Sequence, residues 1–167
     1  VATERIDLLP NAVDLAYIDG FAGAPAPHGD TRFIFVGRIE ANKGVDNLCE
    51  AFATVGQGHL TIVGSGALER ELKARFAGPQ INFAGRLSEA TMFRLYRESD
   101  CFVFASLYEG MPTVILEAMA CRLPVIATEI GAVATMVGPD NGFVVPPGSA
   151  PALAGAMRRF LDTSAPV

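Results

Sequence analysis

From Arg32 onward, apolar runs of four to six residues alternate with segments of helical period at intervals of about 20 to 25 residues, and this alternation constrains the fold most. It is the pattern of repeated βα units wrapped around a parallel sheet. The predicted strands are 33–36, 60–63, 81–84, 101–105, 125–127 and 142–145. Their apolar runs are continuous rather than alternating, which implies burial on both faces. The predicted helices are 45–54, 67–76, 89–99, 112–121, a short one at 133–137, and 150–161. Ser88 with Thr91 one turn later marks one helix start, and Pro112 at a first helical position marks another. Residues 1–30 read as a short extended piece (6–10) followed by an irregular linker with Gly20, Gly23, Pro25, Pro27 and Gly29. The domain proper is then 31–167, an α/β doubly wound parallel sheet of about six strands with helices on both faces. In such sheets ligands bind beyond the carboxyl ends of the strands. Function is therefore sought at 37–44, 64–66, 85–88, 105–114 and 128–132.

Composition narrows the partners. A formal net charge of -5 disfavours a nucleic-acid binder. Cys49, Cys101 and Cys121 are scattered and odd in number, so neither a disulfide framework nor a zinc site is expected, and a reducing cytoplasm fits. His28 and His59 stand near no second soft ligand, and no metal is predicted. No apolar run approaches the roughly 20 residues needed to span a bilayer. The expected protein is soluble, with peripheral membrane contact of its parent left open.

Three stretches carry chemistry. The first predicted strand runs into Val36-Gly37-Arg38-Ile39-Glu40-Ala41-Asn42-Lys43-Gly44, with two cations in one strand-to-helix loop. A guanidinium fork and an ammonium point charge suit two adjacent phosphates, and two solvated loop charges are the plain alternative. After the second strand, Val63-Gly64-Ser65-Gly66 invites a dinucleotide reading. That reading fails because Glu69 stands where a third glycine belongs. A tight glycine turn and backbone contact with a nucleotide both remain open.

The third stretch, Ala105 to Ala120, is the most informative. Between Thr113 and Cys121 only Thr113 and Glu117 are polar, so a helix buried nearly all round is expected. Glu117 then needs a cation, backbone donors or a ligand, because an unpaired buried charge costs several kcal/mol. The free N–H groups of Met111, Thr113 and Val114 at the helix start form an anion site to which Pro112 contributes none. Glu109, just before it, reads as either a helix-capping acid or a ligand contact.

The ordered set resembles the retaining glycosyltransferases of family 4, also called glycosyl transferases group 1, with the two-domain GT-B fold. It comprises Leu9-Pro10-Asn11-Ala12-Val13-Asp14, Val36-Gly37-Arg38 with Lys43-Gly44, Ile62-Val63-Gly64-Ser65-Gly66 and Phe83-Ala84-Gly85. It continues with Glu109-Gly110, Glu117-Ala118-Met119-Ala120, Pro124-Val125-Ile126-Ala127-Thr128 and Asn141-Gly142-Phe143-Val144-Val145-Pro146-Pro147. Glu109 and Glu117 reproduce the family's paired glutamates with seven residues between them.

The resemblance implies a Rossmann-like C-terminal domain that binds a nucleotide sugar, the N-terminal acceptor domain being absent. Gly37, Arg38 and Lys43 would hold the diphosphate, and Glu117 the ribose hydroxyls. Glu109, with the backbone of Gly110, Met111, Pro112, Thr113 and Val114, would face sugar and phosphate, while Gly64, Gly66, Gly85, Arg86 and Leu87 would surround the base. Catalysis would rest on Glu109, Arg38 and Lys43. No cofactor would be tightly bound and no metal required. Three positions depart from the family pattern: Ala12 for a glycine, Arg122 for a glycine ending the helix, and Thr135 for a glutamate after a glycine pair reduced to Gly131-Ala132. Arg122 must adopt a left-handed conformation, or the helix must end differently. The principal alternative is a non-catalytic nucleotide-binding or regulatory domain of the same fold. A nicotinamide-dependent dehydrogenase is disfavoured by the missing glycine, and a nucleotide-sugar epimerase of similar fold is a further alternative.

Overall fold

A computed structural model describes residues 10–21 and 28–164. Six strands, β1 (Arg32–Val36), β2 (His59–Val63), β3 (Ile81–Gly85), β4 (Cys101–Phe104), β5 (Val125–Thr128) and β6 (Gly142–Val145), form one sheet. Their spatial order is β3-β2-β1-β4-β5-β6 and all pairings are parallel. The order reverses between β1 and β4, and in sheets of this kind ligands bind beyond the carboxyl ends of the strands near such a reversal. Each predicted strand matches one of these within a residue at either end. The predicted 6–10 piece lies outside the described residues except for Pro10.

Among the described residues seven α-helices accompany the sheet: α1 (Leu15–Asp19), α2 (Val45–Val55), α3 (Glu69–Phe76), α4 (Glu89–Arg97), α5 (Thr113–Ala120), α6 (Val133–Met136) and α7 (Ala150–Ser164). Side chains alternate across a strand, so Phe33 and Phe35 face one layer and Ile34 and Val36 the other. The first layer is α2 and α7, where Leu48, Phe52, Leu153 and Met157 close one core. The second is α1, α4 and α5, where Ile18, Phe93, Tyr96 and Ile115 close the other. All three cysteines are free and buried, Cys49 and Cys101 in the first core and Cys121 in the second.

Several local outcomes differ from the sequence expectation. The stretch taken as irregular linker contains α1, whose N-cap Asp14 accepts from the Tyr17 N–H at 3.0 Å. This helix is docked. Phe21 stacks on Phe93 at 5.4 Å, the Tyr17 hydroxyl donates to Glu89 at 2.6 Å, and Arg97 donates to Asp19 at 2.8 Å. Pro112 is the N-cap of α5 rather than its first helical residue, with extended backbone at φ -73° and ψ 116°. Ser88 does cap α4, accepting from the Thr91 N–H at 3.3 Å.

The end of α5 settles how Arg122 is accommodated. Its φ is 65°, the one positive value at a non-glycine among the described residues. The Leu123 N–H reaches Ala118 O at 3.0 Å and the Arg122 N–H reaches Met119 O at 2.8 Å, the paired bonds of a Schellman motif. An arginine fills a position that a glycine occupies without steric cost.

Candidate nucleotide-binding site

The loop after β1 continues beside the loop after β2. The Gly37 N–H donates to Val63 O and the Ile39 N–H to Ser65 O, each at 3.0 Å, while the buried Ile39 side chain pins the turn. Gly64 has φ +133°, and a Cβ there would lie 1.9 Å from Gly37 O. The tight-turn reading of this glycine therefore has a definite cause, the contact of two backbones. The same glycines form a wall. A cavity of about 310 Å³ opens at the ends of β1, β2 and β3, lined by Gly37, Arg38, Gly64, Ser65, Arg86 and Leu87. Its floor is apolar, from Val36, Val63 and Met92, and Arg86 is fixed by a 2.8 Å bond from Nε to Ser65 Oγ.

A larger cavity of about 720 Å³ runs along the edge strand β6 between α6 and α7. None of the loops following β1 to β4 lines it. The smaller cavity is the relevant one because it lies at the carboxyl ends of the strands.

The next part of the site is the turn between β4 and α5. The Leu107 N–H donates to Asn42 O at 2.8 Å, which ties this turn to the β1 loop. The tie brings two residues together that are far apart in sequence: Lys43 Nζ donates to Glu109 Oε1, with both side chains about a fifth exposed at 18% and 25%. Glu109 makes no cap bond to α5. Arg38 instead pairs with its near neighbour Glu40 at 2.9 Å and is 64% exposed. Each cation is thus paired with its own carboxylate. Beyond the turn, the N–H groups of Met111, Thr113 and Val114 have no acceptor among the described residues.

Helix α5 is buried on one face only, through Ile115 and Ala118, and not nearly all round as its composition suggested. Its apolar excess goes partly to contacts of intermediate burial. Glu117 lies in that half-buried zone, and no ion pair among the described residues involves it. Burial pushes its carboxyl above the usual range, the Tyr96 hydroxyl lowers it and the Glu89 charge raises it again. The Tyr96 hydroxyl is fully enclosed, and it lowers Glu117 as a hydrogen-bond donor facing the carboxylate, in a contact looser than a well-formed hydrogen bond. Burial foremost, and then the Glu117 charge, raise Tyr96 well above the ordinary phenol value. Among the described residues no three His, Cys, Asp or Glu gather as metal ligands.

Residue patterns alone did not mark Tyr96, Glu89 or the Ser65–Arg86 contact. Tyr96 looks like any apolar position of an amphipathic helix, and its proximity to Glu117 arises only when α4 and α5 contribute to the same core. Asn11 entered only as part of a resemblance, yet its side-chain amide donates to Met111 O at 2.7 Å.

Comparison with known proteins identifies the family. The family described as glycosyl transferases group 1 matches residues 30–163. The chain is 32% identical over 138 residues to alpha-D-kanosaminyltransferase of Streptomyces kanamyceticus, covering 77% of this chain and 36% of that protein. It is 30% identical over 157 residues to the amylovoran biosynthesis glycosyltransferase AmsK of Erwinia amylovora, covering 85% and 39%. The chain thus spans less than half the length of these curated relatives. Among solved structures, the C-terminal domain of the glycosyl transferase group 1 family protein LpcC from Francisella tularensis superposes with a TM-score of 0.75 at 26% identity, covering 90% of this chain and 88% of that one. A Rossmann-like sheet with this strand order, matched along most of its length by that family, makes the chain a member of glycosyl transferases group 1.

Proposed function

We propose that this chain is the donor-binding domain of a retaining glycosyltransferase, which moves a hexose-like sugar from a nucleoside diphosphate to an acceptor held by a second, N-terminal domain of the same protein. One observation carries the reading. A largely apolar cavity at the ends of β1, β2 and β3 adjoins, through the β1 loop, the Lys43–Glu109 pair and the N–H groups at the start of α5. The base would occupy the cavity beside Gly64, Gly66, Gly85, Arg86 and Leu87, and the diphosphate would lie over Gly37, Arg38 and Lys43. Glu117 would accept from the ribose hydroxyls, and Glu109 with Gly110 to Val114 would face the sugar.

When the sugar–phosphate bond breaks, charge accumulates on the departing diphosphate. Fixed donors aimed at that charge stabilise it without reorganising. Arg38, Lys43 and the first N–H groups of α5 would supply such donors, with no divalent ion required. The names of relatives in teichuronic acid and amylovoran biosynthesis support a role in making polysaccharides, and the free, buried cysteines suit a cytoplasmic setting. No helix among the described residues is long and apolar enough to cross a membrane.

Thermal denaturation with UDP, GDP and ADP tests the proposal. At 100 times the dissociation constant, binding adds about 2.7 kcal/mol, and a domain of this size gains roughly 2–4 °C per kcal/mol. One diphosphate is expected to raise the melting temperature with or without EDTA. No response to any of the three at millimolar concentration removes the donor-binding reading.

A further inference from the structure

Residues 10–21 lie outside the stretch matched to the family, yet they touch the turn on which donor binding would depend. We infer that Asn11 is a positioning residue: its side chain holds the Met111 carbonyl so that the turn between β4 and α5 presents its N–H groups to the diphosphate and sugar of the donor. The inference rests on the donor-binding reading and adds a residue to it.

Met111 is fixed on both sides. The Gly110 carbonyl, which belongs to the peptide preceding Met111, accepts the Ala132 N–H at 2.9 Å. A trans peptide is planar with C=O and N–H opposed, so anchoring the Gly110 oxygen aims the Met111 N–H the other way. The peptide following Met111 leads into Pro112 and has no N–H of its own. Its carbonyl would be free to turn, and Asn11 Nδ2 holds it at 2.7 Å, with the Asn11 N–H directed at the Met111 sulfur at 3.2 Å. The Ala132 clamp depends on close backbone approach. Gly131 has φ +48°, and a Cβ there would lie 2.2 Å from Glu109 O and 2.3 Å from Gly110 O.

Asn11 is itself well supported. It stands four residues before Leu15, the first residue of α1, and α1 and the turn after it are tied to α4 by the Phe21–Phe93 stack, the Tyr17–Glu89 bond and the Arg97–Asp19 pair. The buried Ile18 seats the helix in the second core. A rigidly docked helix therefore delivers one amide to one carbonyl, where a flexible linker would not.

The test compares Asn11→Ala and the near-isosteric, donor-free Asn11→Leu with the unsubstituted chain. Affinities are measured by titration calorimetry for the preferred nucleoside diphosphate and for the corresponding nucleoside. Both variants are expected to bind the diphosphate about tenfold more weakly, equivalent to about 1.4 kcal/mol, with nucleoside affinity unchanged. The nucleoside does not reach the turn, so loss of fold or of general packing would weaken both ligands alike. Equal weakening of the two ligands, or an unchanged diphosphate affinity, overturns the inference while leaving donor binding intact. Failure of the unsubstituted chain to bind any of UDP, GDP or ADP removes both. Should neither variant fold, hydrogen exchange of the Asn11 side-chain amide in the unsubstituted chain decides. Exchange slower than that of Asn47 supports the bond to Met111, and equally fast exchange overturns it.

Discussion

Glu109 and Glu117 are the same residue type on either side of one helix start, and their surroundings are opposite. Glu109 sits against the Lys43 ammonium, in a pair that closes the gap between the loops after β1 and β4. Glu117 has no cation among the described residues, and burial raises its carboxyl above the usual range. A paired carboxylate at a loop junction fixes geometry. An unpaired, half-buried one is a group whose hydrogen-bonding capacity is unspent, which is what recognition of neutral hydroxyls requires. The contrast separates an organising role for Glu109 from an accepting role for Glu117.

Lys43→Ala should have the largest effect, because it would remove the proposed phosphate contact and also leave Glu109 alone. The expected loss is about 1.5–3 kcal/mol in diphosphate affinity, the range for a hydrogen bond to a charged group. The unliganded chain should also lose about 1–2 kcal/mol, between the values for exposed and fully buried pairs. Calorimetry and thermal denaturation measure the two parts. Intact stability with weakened binding would show that Lys43 serves the ligand and not the loop junction.

Glu117→Gln comes next. It should weaken a ribonucleotide by about 1–2 kcal/mol and its 2′-deoxy form by less, since the amide keeps one acceptor oxygen and loses the charge. With no cation to leave unpaired, the substitution should not destabilise the fold. A loss of several kcal/mol in stability with unchanged ribose preference would return Glu117 to a structural role. The pH dependence follows from the same shift. A carboxyl whose folded value is raised contributes stability that is present below its unfolded value and lost as pH rises through the folded value. In wild type, that contribution should therefore fade as pH rises just above the ordinary carboxylate range. Ribose preference should strengthen over the same window as Glu117 ionises, and Glu117→Gln should flatten both trends.

Arg38→Ala should be the mildest. The Arg38–Glu40 pair is between neighbours and largely exposed, and such pairs contribute about 0–1 kcal/mol. The unliganded melting temperature should hardly change, and diphosphate affinity should fall by about 1 kcal/mol, less than for Lys43→Ala. A loss equal to that of Lys43→Ala would mean that both cations bear equally on the diphosphate.

The sheet was readable from sequence because its strands are continuous apolar runs, a signal that survives ignorance of the neighbours. Helix α1 was not, since five residues with one buried side chain, Ile18, leave too little periodicity to register. Arg122 was legible for a local reason: the required backbone conformation depends on where α5 stops, and the structure adopts it. The relations inside the site are of another kind. Lys43 and Glu109 were each singled out, but their pairing depends on the Leu107–Asn42 bond between two loops. The surroundings of Glu117 depend on α4 and α5 meeting in the second core. A composition of apolar residues suggested full burial of α5 because the count of such residues says nothing about how many faces of a helix find partners.

The three enclosed cysteines give the molecule a recorder of its own breathing. Alkylating reagents attack thiolates, and burial pushes the Cys49 thiol up to about 12 and Cys101 higher still. Labelling therefore waits for an opening event that wets the sulfur. Cys49 lies in the layer of α2 and α7, Cys101 in the central strand β4, and Cys121 at the end of α5. A time course of modification, resolved by peptide, would report separately on the opening of one helical layer, of the other, and of the sheet between them. A nucleotide that grips the start of α5 should slow the clock at Cys121 before it slows the one at Cys49.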